Sequence, residues 1–165
     1  RYLESLGFEV TYLGVNPEGL INLQELEDLI RPDTILVSVM AANNEIGVLQ
    51  PLAAIGEICH RHQVLFHSDA AQAIAKIPLD VEKMQIDLMS FTAHKLYGPK
   101  GIGALYVRKK NPKVAIAPQM QGGGQEQGLR AGTLYTPQIV GFAKAISLGL
   151  TEMESEGATP KSFTE

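Results

Sequence analysis

Lys95 stands where an apolar run, Leu88-Met-Ser-Phe91, gives way to polar residues. Thr92 and His94 come just before it, and Gly98, Pro99 and Gly101 just after. Glycine and proline at those positions end regular structure soon after the lysine. A lysine at the end of a buried strand must be paired or lose its proton, because an isolated ammonium is costly to bury. Beside another potentially cationic group its pKa falls, and the free amine becomes a nucleophile towards carbonyls. The chemistry on offer is a Schiff base with an aldehyde. A solvated loop lysine would explain this stretch, taken alone, equally well.

Two further strand ends supply what such an amine would need. Val64-Leu-Phe-His67 runs into Ser68-Asp69, with Gln72 following, and Ile35-Leu-Val-Ser-Val-Met40 runs into a polar loop holding Asn43 and Asn44. Pyridoxal phosphate (PLP) requires an amine for the imine, an acid for the pyridinium nitrogen, donors for the ring oxygen and a cradle for the phosphate. Lys95 is the candidate amine and Asp69 the candidate acid, although a carboxylate there also suits a helix cap. Gln72 can reach the ring oxygen, or can be a solvated amide. Thr92 and His94 flank the lysine and can donate to phosphate, although a lone histidine is more often structural.

The elements that must position these residues follow from periodicity. A helix tail over residues 1–6 closes at Gly7, a position suited to a C-cap. Phe8–Tyr12 alternates and predicts a short strand. Asn22 and Glu25 have capping-box spacing, ahead of a helical stripe of Leu23, Leu26, Leu29 and Ile30 that stops at Arg31-Pro32. The run 35–40 has the pattern of a strand buried on both faces. Pro51 opens a helix whose inner face is Leu52, Ile55, Ile58 and Cys59. Helix is expected over Val81–Gln85, then strands over 86–91 and 101–108. Residues 115–130 read as irregular around Gly122-Gly-Gly124. Thr136 caps a last helix with Ile139, Phe142, Ala143, Ile146, Leu150 and Met153 on its face. Apolar strands alternating with helices predict an open, mostly parallel α/β sheet, and ligands of such sheets sit beyond the strands' carboxyl ends.

The 165 residues fit one domain or most of one. A charge of -4 with scattered basic residues argues against a nucleic-acid footprint. No apolar run reaches the length of a membrane span. The one cysteine, Cys59, excludes an internal disulfide and suits a reducing compartment. Its place on an apolar helix face suggests a buried, unreactive thiol. Both ends read as interior sequence, so the chain is expected to be a piece of a longer protein. Residues 1–150 would be its central part, and 151–165 a helix end and polar tail.

His67-Ser-Asp-Ala-Ala-Gln72, the stretch from Asp87 to Gly103, and Gly122-Gly-Gly-Gln-Glu-Gln-Gly-Leu-Arg-Ala-Gly-Thr133 closely resemble the cysteine desulfurases. These are class V aminotransferase-like PLP enzymes, and the likeness is to the subgroup that serves iron–sulfur cluster assembly. Ala42-Asn-Asn-Glu-Ile-Gly-Val-Leu-Gln-Pro51 fits as well, so the resemblance covers nearly all of residues 1–150. It implies part of the large PLP-binding domain of fold type I. Lys95 would hold the cofactor, Asp69 would pair with the pyridinium nitrogen, and Asn44 and Gln72 would contact the ring oxygen. Thr92 and His94 would hold the phosphate, and Thr133 would reach the phosphate in the partner subunit of a homodimer. The implied reaction takes sulfur from L-cysteine, leaving alanine and an enzyme persulfide, with an iron–sulfur scaffold protein as acceptor. No metal, membrane or nucleic acid is implied, and a bacterial-type cytoplasm is expected, with an organelle left open.

The departures are specific. Ala93 stands where the subgroup usually has glycine, Thr92 where serine is common, and Gln127 where arginine is frequent. The family's nucleophilic cysteine, its substrate-binding arginine, and the upstream phosphate loop and ring-stacking residue have no counterpart here. The piece alone is therefore expected to be inactive. A related PLP lyase acting on selenocysteine, or a non-catalytic remnant, stands as an alternative.

Overall fold

The computed structural model describes residues 2–155. Its centre is a four-stranded sheet of β1 (Leu36–Met40), β2 (Leu65–Asp69), β3 (Leu88–Thr92) and β4 (Gly103–Val107), in that spatial order. The first three strands are parallel, with Met40 beside Asp69 and Asp69 beside Ser90. β4 returns antiparallel along β3 after a tight turn. Gly103 sits where an added Cβ would come 2.7 Å from the Phe91 carbonyl oxygen, so this turn-back needs glycine. The carboxyl ends of β1, β2 and β3 therefore lie at one edge, and Asn44, Asp69 and Lys95 follow them.

Helices α1 (Tyr2–Ser5), α2 (Leu23–Leu29), α3 (Leu52–Arg61) and α4 (Thr136–Ser155) accompany the sheet. The Asn22 side chain accepts from the amides of Gln24 and Glu25, a cap contributing about 1 kcal/mol. Gly7 ends α1 with a φ of 89°, as expected of a glycine cap. One sheet face is closed by α3: Ile55, Ile58 and Cys59 meet Phe66 and Met89 in a core where Ile55 and Phe66 are fully buried. Burial pushes the Cys59 thiol up to about 12, helped by the charge of Asp87, so it is an inert core residue.

Several expectations need correction. Phe8–Tyr12 forms no strand; Tyr12 is 71% exposed, and among the described residues no strand pairs with it. β1 is not buried on both faces, since Leu36 is 44% exposed and α3 covers only the opposite side. Val81–Gln85 is a turn, not a helix. Gln85 takes a left-handed φ of 50° and the Ile86 amide closes back on the Val81 oxygen, while Arg108 donates to the oxygens of Val81 (2.7 Å) and Ile86 (3.0 Å) and pairs with Glu82 and Asp87. Asp87 in turn accepts from the Phe66 amide at 2.9 Å, tying this turn to β2. Thr136 is the first residue of α4, not its cap. The buried face of α4 is narrower than predicted: Phe142, Ala145 and Ile146 pack inward, while Ile139, Ala143 and Leu150 are exposed. Residues 156–165, read as a polar tail, lie outside the described residues.

Candidate active site

Beyond β3 the chain makes one 3₁₀ turn, Ala93–Leu96, that stops at Tyr97 in a left-handed conformation. Ala93 and Leu96 point inward and are buried against Phe142, Phe91 and Ile146, while His94 and Lys95 point outward. The Phe91 and Phe142 rings lie 5.8 Å apart in a tilted pair. Gly98 completes the fit, since a Cβ there would come 3.0 Å from the Ala93 Cβ and 3.2 Å from that of Ala145. The Ala93 methyl thus fills space beside a glycine at 98.

Lys95, Asp69, Gln72 and Asn44 line a single open cavity of about 150 Å³, together with Met40, Ala42 and Ala71. Residues from three strand ends therefore converge, as the open-sheet rule requires. Lys95 is exposed, which corrects the expectation of a lysine desolvated at a buried strand end. The turn that carries it faces away from the core. Nearby, Lys76 has its pKa lowered by burial first and by the Lys95 ammonium second.

The polar ends of these residues are partly committed. Asp69 Oδ1 accepts from the Ala71 amide at 2.9 Å. Among the described residues no group binds Oδ2, so a carboxylate oxygen remains for a ligand N–H. Gln72 Oε1 accepts from Lys76 Nζ at 3.2 Å, which leaves the Gln72 N–H₂ as the free end. Of the adjacent asparagines, Asn43 is the one that shapes the loop, accepting from the amides of Glu45 and Ile46. The exposed Asn44 keeps its amide free among the described residues. An acceptor, an amine and two amide donors in one cavity match the needs of a pyridoxal ring, with its ring N–H, aldehyde carbon and ring oxygen.

The expected phosphate pair sits apart from that lining. Thr92 Oγ1 donates to the Ile102 carbonyl at 3.2 Å and lies 3.0 Å from His94 Nδ1. With its only proton given to Ile102, Thr92 accepts from His94, so Nδ1 carries the hydrogen. For Thr92 to donate to a phosphate it must release Ile102. Thr133 is exposed and does not line the cavity. In the glycine-rich segment, Gln127 accepts from Lys109 at 2.9 Å, a bond that the subgroup's arginine could not make.

Sequence reasoning passed over two features. Lys76 escaped because nothing in its local pattern marks it. The second is a polar row on the uncovered sheet face: His67 bridges Ser38 (2.8 Å, Nδ1) and Ser90 (3.1 Å, Nε2), joining three strands just below Asp69. Strand alternation could have flagged it, because Ser38, His67 and Ser90 share one face.

The model of the family "Aminotransferase class-V" matches residues 2–162. A mitochondrial cysteine desulfurase of Arabidopsis thaliana is 58% identical over 165 residues, all of this chain and 36% of that protein. The cysteine desulfurase IscS of Neisseria meningitidis is 61% identical, over 96% of this chain and 39% of that protein. Among solved structures, a NifS-like protein matches with a TM-score of 0.88 at 47% identity, over 93% of this chain and 42% of that one. A structure described as SspA in complex with cysteine matches with a TM-score of 0.84 at 50% identity, over 88% of this chain and 42% of that one. This chain spans a little over a third of the length of the curated relatives. No helix among the described residues is long and apolar enough to cross a membrane.

Proposed function

Since this chain belongs to the class-V aminotransferase family, we propose that it is the cofactor-holding part of a PLP-dependent cysteine desulfurase. The observation that carries the reading is the cavity shared by Lys95, Asp69, Gln72 and Asn44 at the carboxyl ends of parallel strands. Relatives of 58–61% identity bear that name, and a structural relative was solved with cysteine. Residues 1–150 would form the central part of the cofactor-binding domain.

PLP, when bound, supplies an electron sink for cleavage at the amino acid's side chain. Asp69 Oδ2 would hold the ring N–H and keep that nitrogen charged. Asn44 and Gln72 would donate to the ring oxygen. Lys95 would carry the aldehyde carbon and, once displaced by substrate, would move protons with its amine. His94 and Thr92 would take the phosphate, joined by Thr133 from the other subunit of a homodimer. Sulfur would pass from L-cysteine to a thiol elsewhere in the full-length protein, leaving alanine, and from there to an iron–sulfur scaffold protein. Cys59 is excluded as that thiol by its burial and raised pKa. A bacterial-type cytoplasmic location completes the proposal.

The test is the full-length protein loaded with PLP and supplied with L-cysteine and a reductant. Alanine and sulfide in equal amounts are expected. Turnover of selenocysteine alone would overturn the substrate assignment, and turnover of neither would leave a non-catalytic remnant. Fractionation that finds the full-length protein in an organelle would overturn the proposed location.

A further inference from the structure

We infer that Lys76 is a positioning residue for this cavity: it turns the Gln72 amide so that the N–H₂ end is offered to the ligand. The inference rests on the function proposed above. Lys76 Nζ lies 3.2 Å from Gln72 Oε1. An ammonium has only donors, so the amide oxygen must face it and the N–H₂ must face away. Of the two residues, Gln72 lines the cavity and Lys76 does not. The end left for a ligand is therefore a donor, which suits an anionic ring oxygen and would be wrong for a ring N–H.

The backbone enforces this spacing. The amides of Ala73 and Ile74 bond the Ala70 oxygen, and those of Lys76 and Ile77 bond the Ala73 oxygen. These two hydrogen-bonded turns meet at Ala73, and Ala75, with a φ of 55°, redirects the chain between them so that the side chains of 72 and 76 meet. The segment is pinned: Ala73 is fully buried and Ala75 is 8% exposed. At Gly149 of α4 a Cβ would come 2.9 Å from the Ala75 Cβ, so a larger residue would push the segment off. Lys76 also feels the Lys95 ammonium. Its positive charge disfavours an extra proton beside Lys95 and favours a negative ring oxygen. Orientation and charge act in the same direction.

The test uses the full-length, PLP-loaded protein and follows the cofactor's absorbance against pH, with cofactor retention on dialysis as a second readout. Lys76→Met is expected to raise the spectral midpoint by about one pH unit and to weaken retention severalfold, with unchanged circular dichroism. Lys76→Arg, which also only donates, should keep the parent's midpoint. In a Gln72→Met background, Lys76→Met should shift the midpoint by less, because the amide it orients is gone. An unshifted Lys76→Met midpoint, or an equal shift in both backgrounds, overturns the inference while leaving the proposed function intact. A parent protein with no cofactor band overturns both.

Discussion

The turn that carries Lys95 and the segment that carries Thr133 are both exposed and both punctuated by glycine, yet they are held in opposite ways. Ala93 and Leu96 anchor the first in a pocket of Phe142, Phe91 and Ile146. The second has almost no buried anchor before Ala131. It relies on local bonds such as Gly132 N–H to Gln125 Oε1 (3.1 Å) and on the tie from Lys109 to Gln127. It also holds Glu126 and Gln127 at φ of 50° and 58°, left-handed values that cost non-glycine residues on the order of 1 kcal/mol each. One region is held by buried side chains of this chain, whereas the other has few buried contacts among the described residues. A phosphate contact across a dimer would add one.

Breaking the first region should have the largest effect. Phe142→Ala in the full-length protein removes the ring under the Lys95 turn and should lower stability by about 3–5 kcal/mol, read from urea unfolding. A change below about 1 kcal/mol would mean that α4 does not support the turn. Asp69→Asn keeps the shape but removes the charge facing the proposed pyridinium. It should weaken PLP binding roughly ten- to a hundredfold, measured by fluorescence titration. Equal affinity would place the ring nitrogen elsewhere.

Thr133→Ala sharpens the contrast. It should leave unfolding midpoints unchanged, because its side chain is exposed, yet weaken PLP retention several-fold, on the scale of about 1 kcal/mol for one hydrogen bond. That loss should appear only in the dimer; an equal loss in a monomeric variant would contradict the proposed reach across subunits. The smallest effect is one of pH. Burial lowers the His67 pKa below its ordinary 6.5, against the opposing charge of Asp69. The unfolded chain then binds more protons just below pH 6.5, so stability falls as pH drops through that value and levels off below the folded one. His67→Gln should flatten that slope in urea midpoints taken from pH 7.5 to 5. An unaltered slope would mean that the Ser38–His67–Ser90 row does not hold a neutral ring.

The contrast also explains what could be read in advance. The strands around Phe66 and Met89 and the cap at Asn22 announce themselves through apolar runs and local spacing, and all lie where expected. The Val81–Gln85 turn does not, because its end rests on a left-handed Gln85 and its carbonyl partner Arg108 is distant in sequence. Exposure was misjudged at Lys95 and along β1 for a related reason. An apolar run reports that a strand can be buried, whereas burial itself depends on which element covers each face. Of the site, the four residues at strand ends were legible because open parallel sheets place ligands there. Lys76 was not, since its importance lies in a hydrogen bond to Gln72 and in its nearness to Lys95.

The central claim is that Lys95 is the residue that holds the cofactor, and the most direct measurement locates it chemically. Full-length protein loaded with PLP, reduced with borohydride and digested, should yield a pyridoxyl group on the peptide bearing Lys95, and Lys95→Ala should yield none. A pyridoxyl group on Lys76 in the parent protein, or labelling that survives Lys95→Ala, would contradict the account.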